Sequence, residues 1–182
     1  VVTMGNIAVS SSVRVGGNDL TNMISGYILK EHNIEVGPET AENIKKTVGS
    51  AIFRNEEIAI SAGGKSLNNG FTVLFEITST EVYWVLKPYI EEILHCVKNV
   101  LDTTPPELVS YLCDSGIILS GGTANMFGID RYIEWNTGVR TRKAAYPEQC
   151  AALGLGRLLR NMKYLENNGY IFTGADDEDE DE

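Results

Sequence analysis

The sequence of 182 residues lacks long hydrophobic runs and is poor in cysteine and histidine. No apolar run approaches the roughly 18–20 residues that a membrane-spanning helix requires, and no basic start followed by an apolar stretch indicates a signal peptide. Cys96, Cys113 and Cys150 are widely separated, and neither His32 nor His95 lies at a useful spacing from a metal-ligand partner. No metal site is therefore predicted, and the cysteines are expected to be reduced, as in a cytoplasmic protein.

Positive charge is also scarce, with 15 lysine and arginine residues against 25 aspartate and glutamate residues and a formal net charge of −10. Residues 176–182 supply seven of the negative charges, and without them the balance is only −3. Such a run repels itself and buries nothing, which predicts a disordered acidic tail over residues 173–182 that serves solubility or a basic partner. The only basic cluster, Arg140, Arg142 and Lys143, has no interleaved aromatic residues, so no nucleic-acid partner is predicted.

The most informative stretch is residues 116–130, which read Gly-Ile-Ile-Leu-Ser-Gly-Gly-Thr-Ala-Asn-Met-Phe-Gly-Ile-Asp. The apolar run at 117–119 predicts a short strand that is covered on both faces. Gly121 and Gly122 lack Cβ atoms, so the chain can turn sharply there and bring bare backbone against a ligand. Ligands of open α/β sheets bind at the carboxyl ends of strands, which makes this turn a candidate binding loop. A Ser-Gly-Gly turn can equally be a plain connection.

Turn signals and apolar periodicity predict the order of the other elements. They are strands at 1–4 and 7–15, helices at about 20–32 and 39–49, a hairpin of strands at 57–61 and 72–77 around a loop at 62–70, a long helix after Thr78, a helix from Pro106, helices at about 129–136 and 147–165, and a strand at 139–141. Thr78 and Glu81 form a predicted capping box, and Pro88 should kink the long helix. The opening strand looks already under way at Val1, so we expect the chain to begin inside an element of a larger protein; the alternative is a trimmed N-terminus.

A polar stripe lies along one face of the second predicted helix. Glu42, Lys45, Lys46 and Gly49 recur there at helical spacing. The carboxylate can accept hydrogen bonds from ribose hydroxyls, a lysine stem can cover the plane of a base, and the glycine allows close approach. The alternative is a solvated face with a Glu–Lys pair worth only ~0.2–0.5 kcal/mol. Spacing alone favours the solvated face.

Five segments, in order, resemble MreB, the bacterial actin. Residues 10–18 resemble the strand that leads to its Val-Ala-Gly-Asp turn, residues 40–51 its adenosine-binding helix, residues 103–108 its Thr-Pro-Pro-Glu-Leu segment, residues 116–130 its adenine loop and residues 147–156 its C-terminal helix. The match is colinear from residue 1 to about residue 160. The chain therefore resembles the C-terminal half of an MreB-like actin.

The resemblance implies an α/β fold, an actin or ribonuclease H-like lobe with a small inserted α+β subdomain. Residues 1–19 and 86–172 would form the large, IIA-like subdomain, and residues 20–85 the small, IIB-like one. In the family, ATP with Mg²⁺ lies between two lobes, and this half holds the nucleoside without needing a cofactor to fold. The implied nucleotide-binding residues are Gly16, Gly17, Glu42, Lys45, Gly49, Gly121, Gly122, Thr123, Asn125 and Met126, with Glu42 and Lys45 at the ribose and adenine.

The sequence departs from the family at several places. Thr123 replaces a third glycine that bacterial members usually carry, residues 18–21 lean toward eukaryotic actin, and the acidic tail is unusual. Both phosphate loops and the carboxylate that orients the attacking water are missing, so we expect no ATPase activity from this half alone. The cellular role is left open among cell shape, motility and organelle positioning.

The resemblance implies that copies of the protein stack head to tail into filaments in the cytoplasm. Any contact with a membrane would be made through the other half of the protein. Two alternatives belong to other classes. One is a lobe of another ATPase of the same superfold, such as a sugar kinase or a DnaK-type chaperone. A kinase would need a sugar-binding catalytic aspartate, and a chaperone a peptide-binding domain. The other is an interaction module without nucleotide binding, whose assembly would be indifferent to changes at Glu42.

Overall fold

The computed structural model describes residues 1–167 and 169 of the chain. Its elements are β1 (Val2–Thr3), β2 (Asn6–Ile7), α1 (Gly17–His32), β3 (Ile34–Glu35), α2 (Pro38–Val48), β4 (Ala59–Ser66), β5 (Thr72–Thr78), α3 (Ser79–Thr103), α4 (Pro106–Ser115), β6 (Ile117–Leu119), a 3₁₀ helix (Gly122–Asn125), α5 (Ile129–Thr137), β7 (Thr141–Lys143), a second 3₁₀ helix (Pro147–Gln149), α6 (Cys150–Arg160) and α7 (Met162–Asn167). Within this part of the chain, no helix has the length and apolar character needed to cross a membrane. The predicted tail at 173–182 lies outside the described residues.

The main sheet is antiparallel, with the strand order β3-β4-β5. β4 pairs with β5 from Ala59, opposite Thr78, to Lys65, opposite Thr72. The predicted loop at 62–70 is therefore wrong over its first residues, which continue the strand despite their glycines. Gly64 is needed in the sheet, because a Cβ there would overlap Ile34 Cγ2 and lie 2.9 Å from the Glu35 carbonyl oxygen.

The long helix α3 begins at the predicted capping box. Thr78 Oγ1 accepts a hydrogen bond from the Glu81 backbone N–H at 3.2 Å, and Glu81 Oε2 accepts one from the Thr78 N–H at 2.9 Å. Two of the helix's N-terminal N–H groups would otherwise lack a partner. Pro88 lies inside α3, which continues through it as one helix.

β2, β6 and β7 also differ from their sequence-based predictions, and β7 covers Thr141–Lys143 where a strand is predicted at 139–141. β2 (Asn6–Ile7) includes only Ile7 of the strand predicted at 7–15, and in the described chain its only partner is β1. β6 pairs in parallel with β7, but Ile118 is 55% exposed. The prediction that β6 is covered on both faces is therefore wrong. Alternate strand residues point to opposite faces, and only the face of Ile117 and Leu119 packs against the core.

One hydrophobic core joins α1, α2, α3, the main sheet and α5. Its fully buried side chains include Leu20, Ile24, Ile28, Ile44, Ile77, Leu86 and Ile133. The amphipathic periodicity of the helices accounts for this core, since each helix turns one apolar stripe inward. The predicted subdomain boundaries at 19/20 and 85/86 fall inside α1 and α3, and the division into subdomains stays a prediction.

Candidate functional site

A cavity of about 500 Å³ opens between the start of α1, one face of α2 and the 3₁₀ helix after β6. This volume is within the range of about 300–1,000 Å³ that is typical of small-molecule sites. The lining residues are Gly17, Asn18 and Leu20 of α1, Glu42, Lys45 and Lys46 of α2, Gly122, Thr123, Asn125 and Met126 of the glycine turn, and Glu148 of the second 3₁₀ helix. The predicted polar stripe and the predicted glycine turn thus face the same space.

Lys45 is the centre of a polar cluster that ties α2 to α1. Its Nζ lies 2.6 Å from Glu42 Oε2 and donates to the Gly17 carbonyl oxygen at 2.7 Å and to Thr21 Oγ1 at 2.9 Å. An ammonium has three N–H donors, so each of them has a partner here. The side chain is only 12% exposed. What Lys45 can offer a ligand is therefore its methylene stem, because the charged end is engaged by the protein.

Glu42 is held in its ionised form. Hydrogen bonds from Lys45 and then from Thr21 lower the pKa of Glu42 to about 2, against the usual 4.5. Oε2 receives these two bonds, whereas Oε1 has a longer contact, at 3.5 Å, with Nζ of the mostly exposed Lys46. An ionised carboxylate thus lines the cavity, and a carboxylate is an acceptor that suits vicinal hydroxyl groups.

The opposite wall of the cavity is the glycine turn. Gly121 has a φ of +88°, a conformation in which a side chain would be strained, and it lets the chain leave β6 and enter the 3₁₀ helix. Asn125 Nδ2 donates to Glu148 Oε1 at 2.9 Å, which joins the turn to the second 3₁₀ helix. Met126 is 8% exposed and adds an adaptable apolar surface.

Seven of the ten predicted site residues line this cavity, namely Gly17, Glu42, Lys45, Gly122, Thr123, Asn125 and Met126. The other three lie beside it. The Gly16 N–H donates to Asp19 Oδ2 at 2.7 Å in the cap of α1. Gly49 ends α2, where a Cβ would overlap the Lys45 carbonyl oxygen, and Gly121 forms the turn described above. Backbone geometry therefore accounts for Gly49 and Gly121, whereas a Cβ on Gly16 would make only an ordinary contact, 3.6 Å from Asp19 Oδ2. Ligand contact by any of the ten stays a prediction.

Sequence reasoning missed several residues of the site. Asn18 and Leu20 lie in the first turn of α1, and their closeness in sequence to the predicted site residue Gly17 could have identified them. Thr21 meets Glu42 only because α1 and α2 pack together. Glu148 contacts Asn125 from 23 residues further along the chain, and no local pattern connects the two.

The cavity combines an ionised carboxylate, a lysine stem, bare glycine backbone and a thioether. Among the described residues no group of three or more His, Cys, Asp or Glu side chains could hold a metal ion. Apolar walls accept a flat ring, and the carboxylate accepts hydrogen bonds from hydroxyls. The residues present therefore fit a nucleoside.

Comparison of the chain with known proteins finds matches in one family. The profile of the MreB/Mbl protein family matches residues 1–167. The cell shape-determining protein Mbl of Bacillus subtilis is 35% identical over 167 residues, which are 91% of this chain and 50% of that protein. The cell shape-determining protein MreB of Escherichia coli K12 is 33% identical over 159 residues, 87% of this chain and 46% of that protein. The chain spans about half the length of the curated relatives it matches.

The fold has a close match among solved structures. The crystal structure of MreB5 of Spiroplasma citri bound to ADP superposes with a TM-score of 0.84 at 32% identity, over 91% of this chain and 50% of that one. The structure of the same protein bound to AMPPNP gives a TM-score of 0.83. The predicted actin-like α/β lobe is thereby confirmed.

Proposed function

This chain belongs to the MreB/Mbl family, and from that premise we propose that it is the nucleoside-binding half of an ATP-dependent, filament-forming cytoskeletal protein. The observation that carries the proposal is the cavity in which Glu42, the Lys45 stem and the Gly122 turn face one another. The structures of MreB5 of Spiroplasma citri bound to ADP and to AMPPNP support it, as do relatives named as cell shape-determining proteins.

The proposed ligand contacts follow from the chemistry of each wall. Glu42 accepts hydrogen bonds from the ribose hydroxyls, while the Lys45 stem and Met126 contact the base. Gly17 begins α1, and the partial positive charge of a helix N-terminus stabilises phosphate. Gly122 adds no side chain, which leaves room for the ring.

Hydrolysis is assigned to the complete protein. Phosphoryl transfer requires positioned phosphates, Mg²⁺ and an oriented nucleophile, and the resemblance to MreB implies that both phosphate loops belong to the other half. Mg²⁺ usually keeps several waters and binds through the substrate phosphates with few protein ligands. This half therefore binds and orients the nucleoside, and the bound nucleotide shifts the two lobes toward a state that polymerises in the cytoplasm.

Sedimentation tests the proposal on the protein that carries this chain together with the family's other half. Pelleting is compared with ATP, with ADP and without nucleotide. ATP-dependent pelleting of head-to-tail polymers is expected. Absence of pelleting, together with ATP turnover that requires a small-molecule acceptor, would contradict the filament proposal and favour the sugar-kinase alternative. Pelleting that does not depend on nucleotide would instead favour an interaction module without nucleotide binding.

A further inference from the structure

Two loops behind the cavity walls are bonded to each other, one after α2 and one before α5. Ser50 pairs with Phe127 in a parallel bridge, and the Ala51 N–H donates to the Phe127 carbonyl oxygen at 2.9 Å. Ser50 and Ala51 are buried. A Cβ on Gly128 would overlap the side chain of Ile52, so the two loops are packed as closely as glycine permits.

Arg54 covers this contact from the side. Its guanidinium carbon lies 4.0 Å from the centroid of the Phe127 ring, and its Nη2 lies 3.5 Å from the Gly49 carbonyl oxygen at the end of α2. Arg54 Nε is buried without a hydrogen-bond partner in the described chain. The burial also lowers the pKa of Arg54. A partly desolvated guanidinium is stabilised by stacking on an aromatic face, so the ring is its principal partner.

Each partner of this stack is joined to one wall of the cavity. Phe127 directly follows Met126, which lines the cavity, and Gly49 ends the helix that carries Glu42. We propose that Arg54 and Phe127 form a latch that fixes the separation of the two walls and so preorganises the nucleoside site. Neither latch residue lines the cavity, and Arg54 is therefore a positioning residue. The inference rests on the proposed function, and preorganisation raises affinity by removing the cost of ordering the site.

Nucleotide affinity is the first measurement, made by titrating ADP into the protein that carries this chain together with the family's other half. Arg54→Met keeps the apolar stem and removes the cation, and Phe127→Leu removes the ring. Each substitution should weaken ADP binding about three- to tenfold. The double variant should bind ADP no more weakly than the weaker-binding of the two single variants, because both substitutions remove the same interaction. Phe127→Tyr keeps the aromatic face and should restore the affinity. Purely additive losses would overturn the latch.

A second cation–aromatic pair provides the matched control. Lys87 Nζ lies 5.0 Å from the centroid of the Trp84 ring on α3, and neither residue lines the cavity. Lys87→Met and Trp84→Leu should leave ADP affinity unchanged. An equal loss in these variants would mean that general destabilisation explains the effect at Arg54, which would overturn the latch.

Amide hydrogen exchange without nucleotide separates the latch from the proposed function. The amides of Ala51 and Met126 should exchange faster in Arg54→Met and Phe127→Leu, while those of the β4–β5 pairs should not change. Unchanged exchange at Ala51 and Met126 overturns the latch, whatever effect the substitutions have on ADP affinity. Faster exchange with unchanged ADP affinity overturns its positioning role. If the unaltered two-lobe protein binds no ADP, the proposed function fails, and exchange alone decides whether the latch orders the two loops.

Discussion

Glu42 carries a charge that the fold itself uses. Lys45 and Thr21 bind Oε2, while Oε1 has only the longer contact with Lys46. The same carboxylate therefore joins two helices and supplies the proposed ribose acceptor. These two roles can be separated by pH and by ligand titration.

The stability contributed by Glu42 should depend on pH. Its pKa is about 2 in the folded chain against 4.5 ordinarily, so the folded state binds fewer protons. The contribution is then complete above about pH 5 and is lost as the pH falls toward 2. For this partly exposed group we expect only about 1 kcal/mol after solvent screening. Urea unfolding of the natural chain and of Glu42→Gln should differ at pH 7 and converge near pH 2. A difference independent of pH would contradict the role of this ion pair.

Two substitutions test the cavity as a nucleoside site. A Cβ on Gly122 would meet no protein atom within 4 Å, so Gly122→Val should fold normally and fill space that the ligand needs. Glu42→Ala removes the ribose acceptor. Both should lower ADP affinity by at least about tenfold, the factor that corresponds to 1.4 kcal/mol. Calorimetric titration of ADP into the protein that carries both halves measures the affinity.

Gly26→Ala is the control for these substitutions. Gly26 lies inside α1, where a Cβ also meets nothing within 4 Å, and it does not line the cavity. This variant should bind ADP normally and be slightly more stable, since alanine is the better helix former. Unchanged affinity in both Glu42→Ala and Gly122→Val would show that the site is assigned to the wrong place.

Among the elements, β4 contains two neighbouring glycines, of which one has no room for a side chain and the other has room. A Cβ on Gly64 would overlap Ile34, whereas one on Gly63 would lie 4.0 Å from Leu74 Cδ2, an ordinary contact. Gly64→Ala should therefore destabilise the chain by about 1–3 kcal/mol, as overpacking usually does, and Gly63→Ala should change little. Thermal or urea unfolding of the two variants measures the difference. Equal stabilities would mean that β3 can move away from β4 without cost.

The elements with strong local signals were predictable from sequence. The capping box at Thr78 predicted the start of α3, and the proline at position 106 predicted the start of α4. The apolar run at 117–119 predicted β6. The second half of β4 was not predictable, because Gly63 and Gly64 indicate a turn locally, and only the approach of β3 explains Gly64. β2 is shorter than its alternating pattern indicates, since a strand also needs a partner.

For the whole molecule, the sequence predicted which segments would meet but not every residue between them. The glycine turn and the polar stripe of α2 each looked ambiguous alone, and their resemblance to MreB brought them to one site. Thr21 and Glu148 enter that site through tertiary packing, which no local pattern encodes. Side-chain contacts between distant segments therefore could not be predicted from the sequence.

The acidic tail should contribute nothing to the stability of the whole molecule. Residues 176–182 carry seven negative charges in succession, and such a run has no apolar surface to bury. Deleting these residues should leave the melting temperature unchanged at moderate salt. Replacing the same residues by a Gly/Ser sequence of equal length is the matched control for chain length. A clear fall in melting temperature on deletion, but not in the control, would show that the tail's length matters, and a fall in both would show that its charge docks on the lobe.

The cavity is assembled from α1 and α2 on one side and from the glycine turn, far along the chain, on the other. Contacts between such distant segments form late in folding, since the entropy of closing the intervening loop must be overcome first. A folding transition state that lacks the cavity cannot be stabilised by its ligand. Nucleotide would then extend the lifetime of the finished lobe by slowing unfolding, while leaving the rate at which newly made chains fold almost unchanged.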